Sequence, residues 1–471
     1  MRKFIGRTRE LAALEHHYRT GRFEMVVLYG RRRLGKTMLL KQFAKGKRCL
    51  FFTALEKSDA INLGVFAEAI GEAFQIPGIA FSSWLDALWF VAQHAEDIEE
   101  PLLVIFDEFP YAAKANPSLP SMLQQLIDHS LIDKEMTLVL CGSNQGFMES
   151  EVLGKKSPLY GRRTAQMKLA PFDAFDARLM LGDIDAVSAC AYYATFGGTP
   201  YYLSQIRPEE TYEENISRLF FDPYGLLFDE PPMLLRQEFR ETAIYTSILD
   251  AIASGATKAG EIADKVGISD TSCTPYLKTL KDLMIIERRT PFGESALRSR
   301  RGIYRIRDPF HAFWYRFVSP YTTAVEMGSG ELIAAQTASS PALETYMGDR
   351  FEDISLQWIA RMNAAGRLGF AAATFGKWWG TDPVAKEQAD VDVVAADMDR
   401  SHMLVGECKW RNSFDETEAL RLLERRAAIF AGSAEVTYAL FTKRKVSDGT
   451  VRKAKDREDL LLVDAERMFS A

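Results

Sequence analysis

Gly30-Arg31-Arg32-Arg33-Leu34-Gly35-Lys36-Thr37 fills every position of the pattern GxxxxGK[ST]. The apolar run 25–29 precedes it, and 38–43 follow with helical spacing. Strand before and helix after is the context a phosphate loop needs. Its glycines let backbone N–H groups curl around a β-phosphate while the following helix turns its N-terminus toward the anion. In that geometry Lys36 pairs with β/γ oxygens and Thr37 holds Mg²⁺. Arg31, Arg32 and Arg33 offer only their backbone, their side chains being expected to face outward.

Working outward, two more apolar runs read as buried strands. The run 101–106 ends at Asp107-Glu108. A carboxylate at the end of a buried strand suits Mg²⁺ coordination, and a second beside it suits polarising a water. A solvated strand end is the plainer reading, but the Lys36 loop weighs against it. The run 137–141 ends at Ser143-Asn144, which fits a γ-phosphate sensor or a simple polar turn. Arg162 and Arg163 fit either an arginine finger or a surface pair. Amphipathic stretches such as 61–74 and 119–131 separate the strands. This alternation predicts an α/β, doubly wound, mostly parallel sheet over 1–165.

Beyond it, 166–235 reads as a helical lid, with Pro231-Pro232 as a linker. Residues 236–320 read as three helices (236–254, 258–266, 270–282) and a hairpin (283–289 with 302–306), the order of a winged helix-turn-helix. Between Lys278 and Arg307 stand nine Lys/Arg and three Asp/Glu, whereas the 471-residue chain as a whole has a formal charge of −6. Ser269, Thr271, Ser272, Thr274, Lys278 and Lys281 on the third helix could contact duplex DNA. So could Arg288, Arg289, Arg298, Arg300 and Arg301 on the loop. A winged helix used only for protein packing remains open. The aromatic stretch 308–318 reads as core.

Small residues from 320 to 341 read as a linker, and 340–471 as a last α/β domain. It has a helix at 342–361, a hairpin of 391–396 with 402–410, a helix at 415–431 and a strand at 435–441. If the hairpin turns at Asp399-Arg400, Asp392 faces Glu407 at about 5 Å, with Lys409 on the same face. Two carboxylates that close repel unless a cation intervenes, and hard oxygen ligands favour Mg²⁺. Lys409 could then orient water or stabilise developing charge. An E-x-K on a strand also makes simple ion pairs without catalysis. The basic tail 443–455 could hold phosphate or be a solvated face.

The composition is that of a globular protein, 47% hydrophobic and 26% charged. The overall acidic balance, 58 Lys/Arg against 64 Asp/Glu, excludes a globally basic nucleic-acid coat protein. Five scattered cysteines give no CxxC pair, so no zinc or redox motif is readable. The charged N-terminus carries no apolar signal core and no run spans a membrane, so a cytoplasmic location is expected.

Phe4-Ile-Gly6-Arg7 with Glu10, the loop 29–37, Ile105-Phe-Asp-Glu-Phe109 and Gly198-Thr-Pro-Tyr201 together resemble the archaeal-type P-loop ATPases, relatives of AAA+ and origin-recognition ATPases. The resemblance covers about the first 230 residues in order. It implies ATP rather than GTP and places Phe4 to Arg7 near the adenine. The implied nucleotide set is Phe4, Gly6, Arg7, Gly30, Arg31, Arg32, Arg33, Leu34, Gly35, Lys36, Thr37, Met38, Ser143 and Arg162, with Lys36, Asp107 and Glu108 catalytic and Thr37 and Asp107 on Mg²⁺. The last domain resembles the PD-(D/E)XK nucleases, a restriction-endonuclease-like fold that some archaeal-type ATPases carry with a Trp-Gly before the hairpin, as in Trp379-Gly380. Glu352 matches the helix acid, Asp392 the first ligand and Glu407-x-Lys409 the E-x-K element. That resemblance implies a Mg²⁺ site at Asp392 and Glu407, with Glu352 and Lys409 assisting. No Pro precedes Asp392, a departure at a variable position. The expectation is an ATP-binding and ATP-hydrolysing protein associated with double-stranded DNA and carrying a nuclease-like module. The alternative is an ATP-dependent switch that binds a protein partner, a second copy or DNA without cleavage.

Overall fold

The strand Glu24–Tyr29 (β1) is buried at all six positions. In the computed structural model, which describes residues 4–96, 100–239 and 241–470, it lies inside a parallel sheet. The partners are Cys49–Thr53 (β2), Leu102–Asp107 (β3), Met136–Gly142 (β4) and Ala165–Lys168 (β5), in the order β2-β3-β4-β1-β5. β3 and β4 are likewise buried throughout, as strands with both faces covered must be. Alternation along β1 splits its side chains between two layers. Met25, Val27 and Tyr29 join Phe52, Phe66 and Phe106; Val26 and Leu28 join Leu39, Leu40, Leu103 and Ile105. The second layer holds the helix Lys36–Phe43, which β1 thereby anchors directly behind the loop. Because β4 lies between β1 and β3, the ends of three adjacent parallel strands bring Gly30, Ser143 and Asp107 to one edge of the sheet.

This sheet belongs to the unit Met1–Pro171; the second unit is Phe172–Ala471. The second unit opens with short helices, among them Ala186–Phe196 and Tyr212–Phe220. The helices Ala243–Ala253, Ala259–Val266 and Asp270–Asp282 follow, then an antiparallel pair, Ile286–Arg289 (β6) and Ile303–Ile306 (β7). The 24-residue helix Pro341–Ala364 is started by Ser340, whose hydroxyl accepts from the Leu343 N–H, with Pro341 in its first turn. A mixed sheet completes the unit: Thr374–Asp382 (β8), Glu387–Ala396 (β9), His402–Lys409 (β10), Glu435–Thr442 (β11) and Leu460–Asp464 (β12), in the order β12-β11-β10-β9-β8. β8, β9 and β10 are antiparallel, whereas β10, β11 and β12 are parallel. One apolar core runs through the unit, from Phe172 and Phe196 through Ile248, Phe313 and Tyr346 to Val393 and Phe441.

Several expectations need correction. The stretch 320–341 is helical, not a linker: Gly330–Ala338 is a helix, and Val325 and Ala334 are fully buried. Pro231 and Pro232 sit in the first turn of the helix Glu230–Glu238, where a missing N–H costs nothing. The expected helix 236–254 is divided between that helix and Ala243–Ala253; its Arg240 lies outside the described residues, as do Met1, Arg2 and Lys3 of the charged N-terminus. β2, β5, β8 and β12 are not among the expected strands; β5 carries the core sheet into 165–168, the start of the expected helical lid. Among the described residues no helix is long and apolar enough to cross a membrane.

Candidate functional site

The loop after β1 turns on three left-handed or near-left-handed residues. Gly30 has φ +153°, and a Cβ there would lie 2.6 Å from the Leu169 carbonyl oxygen. Arg33 and Gly35 follow at φ 68° and 83°. Gly35 starts the helix, so the free N–H groups of its first turn face the loop's interior. Lys36 is buried and donates from Nζ to the carbonyls of Gly30 (2.8 Å) and Arg31 (2.9 Å). It spans the mouth of the loop.

Thr37 Oγ1 donates to Asp107 Oδ2 at 2.7 Å. This hydroxyl and carboxylate form a pair of hard oxygen donors that suits Mg²⁺. Glu108 is held in the left-handed region at φ 51°. Ser143 donates its hydroxyl to Glu108 Oε1 at 2.5 Å and its N–H to Oε2 at 3.3 Å. Lys36, Thr37, Asp107, Glu108 and Ser143 are thus one constellation at one sheet edge. Arg7 reaches the same loop, donating to the Leu34 carbonyl at 3.2 Å and to Glu10 at 2.9 Å. Phe4 packs on the layer that contains Leu34 and Leu39, and Met38 is half exposed.

Two assignments do not hold within this chain. Arg162 does not approach the loop. Its guanidinium grips Asp128 in a bidentate pair, 2.8 and 2.6 Å. It precedes β5, which runs parallel to β1, so it lies at the opposite end of the sheet. Arg31 is buried, not turned outward, whereas Arg32 is exposed and donates to the Tyr111 hydroxyl at 2.8 Å.

In the second unit, Met403 faces Ala396 and Gly406 faces Val393, so the next step of that register sets Glu407 at Asp392. Lys409 Nζ donates to Glu407 Oε1 at 2.5 Å, and the Cys408 N–H donates to Asp392 Oδ2 at 2.8 Å. Glu352 joins them from the helix Pro341–Ala364. The residue that brings it in is Lys377 on β8, which sequence reasoning missed. Its Nζ donates to both Glu352 oxygens (2.9 Å each) and to Asp392 Oδ1 (3.1 Å), and pairs with Asp390 (3.2 Å). Burial, reinforced by the Asp392 charge, pushes the Glu352 carboxyl up to about 8, against the pull of Lys377. Glu407 is raised by burial and by Asp392, partly offset by Lys409. Burial alone would lower the Lys377 ammonium, but Asp392, Glu352 and Asp390 raise it. This arrangement does not fit a divalent cation. An ammonium already stands between the carboxylates, and among the described residues no three His, Cys, Asp or Glu side chains converge on a metal position.

The third helix of the middle segment, Asp270–Asp282, leaves Thr271, Ser272, Thr274, Lys278 and Lys281 exposed. The following loop is less open. Arg288 donates to the Ala296 and Ser299 carbonyls, Arg289 pairs with Glu287 and Asp353, and Arg301 pairs with Glu294 and reaches the Trp379 carbonyl. Only Arg298 and Arg300 of the five loop arginines have guanidinium groups without a partner among the described residues. Phe292 is buried against Trp378 and Val391, and its N–H donates to the Lys377 carbonyl at 2.8 Å.

Residues 4–206 match a family described as an ATPase domain predominantly from Archaea, and 314–421 match a family described as archaeal and bacterial proteins of unknown function. The first of these matches spans the β1–β5 sheet and the first helices of the second unit. An uncharacterised protein of Methanocaldococcus jannaschii is 28% identical over 467 residues, 98% of this chain and 99% of that protein. An uncharacterised ATP-binding protein of the same organism is 44% identical over 45 residues, 10% of this chain and 76% of that one. Among solved structures, the Aeropyrum pernix ORC2 protein in its ADPNP–ADP complexes is similar at a TM-score of 0.44 and 14% identity, covering 70% of this chain and 96% of that one. The Aeropyrum pernix ORC1 protein in complex with DNA is similar at a TM-score of 0.34 and 16% identity, covering 69% and 95%.

Proposed function

We propose that this chain binds and hydrolyses ATP and associates with double-stranded DNA. The observation that carries the first half is the contact of Thr37 with Asp107 beside the Lys36 loop. Thr37 and Asp107 would hold Mg²⁺, which when bound neutralises charge on the phosphate oxygens. Lys36 exchanges its two loop carbonyls for β/γ oxygens as the triphosphate enters. Glu108, fixed by Ser143, orients water for in-line attack on the γ-phosphate. Arg7 braces the loop at Leu34, and Phe4 and Met38 supply apolar surface for the base.

We read the helices 243–282 with β6 and β7 as a winged helix-turn-helix, and 340–471 as a PD-(D/E)XK-type module. Lys278 and Lys281 on the third helix, Arg298 and Arg300 on the wing and Arg307 just after it are the groups free to meet DNA phosphates. Such contacts are sequence-neutral and salt-sensitive. ATP occupancy would set how the second unit engages DNA. A second reading, DNA cleavage by Glu352, Asp392, Glu407 and Lys409, has in its favour the register that sets Glu407 at Asp392, but requires Lys377 to yield the place of the cation.

Retention and turnover of radiolabelled ATP by wild type, Lys36→Ala and Glu108→Gln test the first reading. Lys36→Ala should lose retention, and Glu108→Gln should retain ATP without turnover. A wild-type protein that retains no adenine nucleotide would end it. Mg²⁺-dependent nicking of supercoiled DNA that Lys409→Ala abolishes would establish the second.

A further inference from the structure

The nuclease-type carboxylate site differs from its expected form at one position, the place of the cation. Lys377 Nζ stands 2.9 Å from each Glu352 oxygen, 3.1 Å from Asp392 Oδ1 and 3.2 Å from Asp390 Oδ2. An ammonium has three donors and no acceptor, so this set of acids saturates it. The remaining oxygen of Asp392 accepts the Cys408 N–H, and one oxygen of Glu407 accepts Lys409. A divalent ion has to come within about 2.0–2.6 Å of such oxygens. It would meet a fixed positive charge there.

Backbone packing fixes that charge in place. Pairing between β8 and β9 slips between Gly376 and Trp378, so Lys377 alone spans Asp392 and Val393. Its carbonyl is held by the Phe292 N–H at 2.8 Å, and the next residue, Trp378, is buried and stacks on Phe430 with ring centres 4.8 Å apart. The Lys377 backbone is therefore pinned on both sides, and a swing of the side chain away from the acids would strand Glu352 and Asp392 as like charges.

We propose that the Lys377 ammonium is the resident cation of this site and that residues 340–471 take up no divalent metal while it is present. The proposal rests on reading 340–471 as a nuclease-type module. It makes that module a binding fold closed to hydrolysis, its acids neutralised from within the chain.

The test uses the full chain, free of nucleotide, in a Thr37→Ala background that removes the loop's own metal ligand. Free Mn²⁺ is titrated and read by electron paramagnetic resonance. No Mn²⁺ should bind at micromolar concentration with Lys377 present. Lys377→Met, which keeps the apolar stem, should gain one bound Mn²⁺, lost again on adding Asp392→Asn; circular dichroism checks that the variant is folded. Should Lys377→Met not fold, Lys377→Gln keeps a donor and should show the same gain. An Asp392-dependent Mn²⁺ in the background protein overturns the proposal, as does a folded Lys377 variant that gains none. A failure of the ATP reading would show as absent nucleotide retention and leave these titrations unchanged.

Discussion

Asp353 is the residue on which the hairpin β6–β7 hangs. Arg289 from β6 and Arg305 from β7 each pair with one of its oxygens, and Arg350 lies 3.4 Å away from its own helix. Glu287 is the second acid, 2.6 Å from Arg289 and 3.5 Å from Arg305. Three arginines thus face two carboxylates, and Asp353→Asn leaves three facing one. Breaking a buried pair from one side costs about 3–5 kcal/mol, because the surviving charge stays buried. Glu287 still holds two of the arginines, and these side chains are only half-buried, so the low end is an upper bound, about 3 kcal/mol. At about 1.4 kcal/mol per decade, the unfolding equilibrium shifts by up to roughly a hundredfold. Burial alone would raise the Asp353 carboxyl, but Arg289, Arg305 and Arg350 hold it well below the usual carboxylate range. A folded pKa below the unfolded one gives stability that is present above the unfolded pKa and is lost as pH falls through it toward the folded one. The Asp353→Asn penalty should therefore be constant from pH 5 to 8 and shrink below about pH 4. Urea unfolding of both proteins, with hydrogen exchange of the amides 286–289 and 303–306, measures it. A difference below about 0.5 kcal/mol at pH 7, the range of ordinary surface changes, would refute the reasoning.

Thr37→Val keeps the shape at the loop and removes the hydroxyl from Asp107; half-maximal ATP turnover should need at least ~10-fold more Mg²⁺, read in a phosphate-release assay. The double variant Lys278→Ala with Lys281→Ala should weaken DNA binding by a similar factor on any sequence. Fluorescence anisotropy across a salt series should show the log–log slope reduced by about two. Phe292→Ala empties a position buried against Trp378; urea unfolding should show a loss of about 3 kcal/mol, at the lower end for such truncations because a loop can close on the space.

The legible parts of the sequence were those in which one local pattern decides the structure. β1, β3 and β4 are dry on both faces, so each is an unbroken apolar run. The edge strands β2 and β12 mix buried with half-buried positions over only five residues, and β8 exposes three of its nine. Such short mixed runs do not separate from coil. The hairpin register was readable because a turn at Asp399-Arg400, where Arg400 adopts φ 61°, fixes it. Lys377 was not, because counting by twos fails across the irregularity beside it. The stretch 320–341 misled for a different reason. Small residues suggest slack, yet a Cβ on Gly330 would lie 1.7 Å from the Phe221 carbonyl oxygen. Smallness there permits close backbone approach, not freedom.

The same distinction governs the charge between Lys278 and Arg307. An excess of six positive charges is a property of composition, but DNA sees only the charges that the fold leaves unpaired. Arg289 and Arg305 neutralise Asp353 and Glu287, Arg301 neutralises Glu294, and Arg288 closes its own loop. What remains for a phosphate backbone is Lys278 and Lys281 on one helix, Arg298 and Arg300 on one loop, and exposed Arg307 just after β7. A salt slope near five for the wild type, rather than the nine that the sequence count suggests, is the signature that separates a loop folded onto its own chain from one held open.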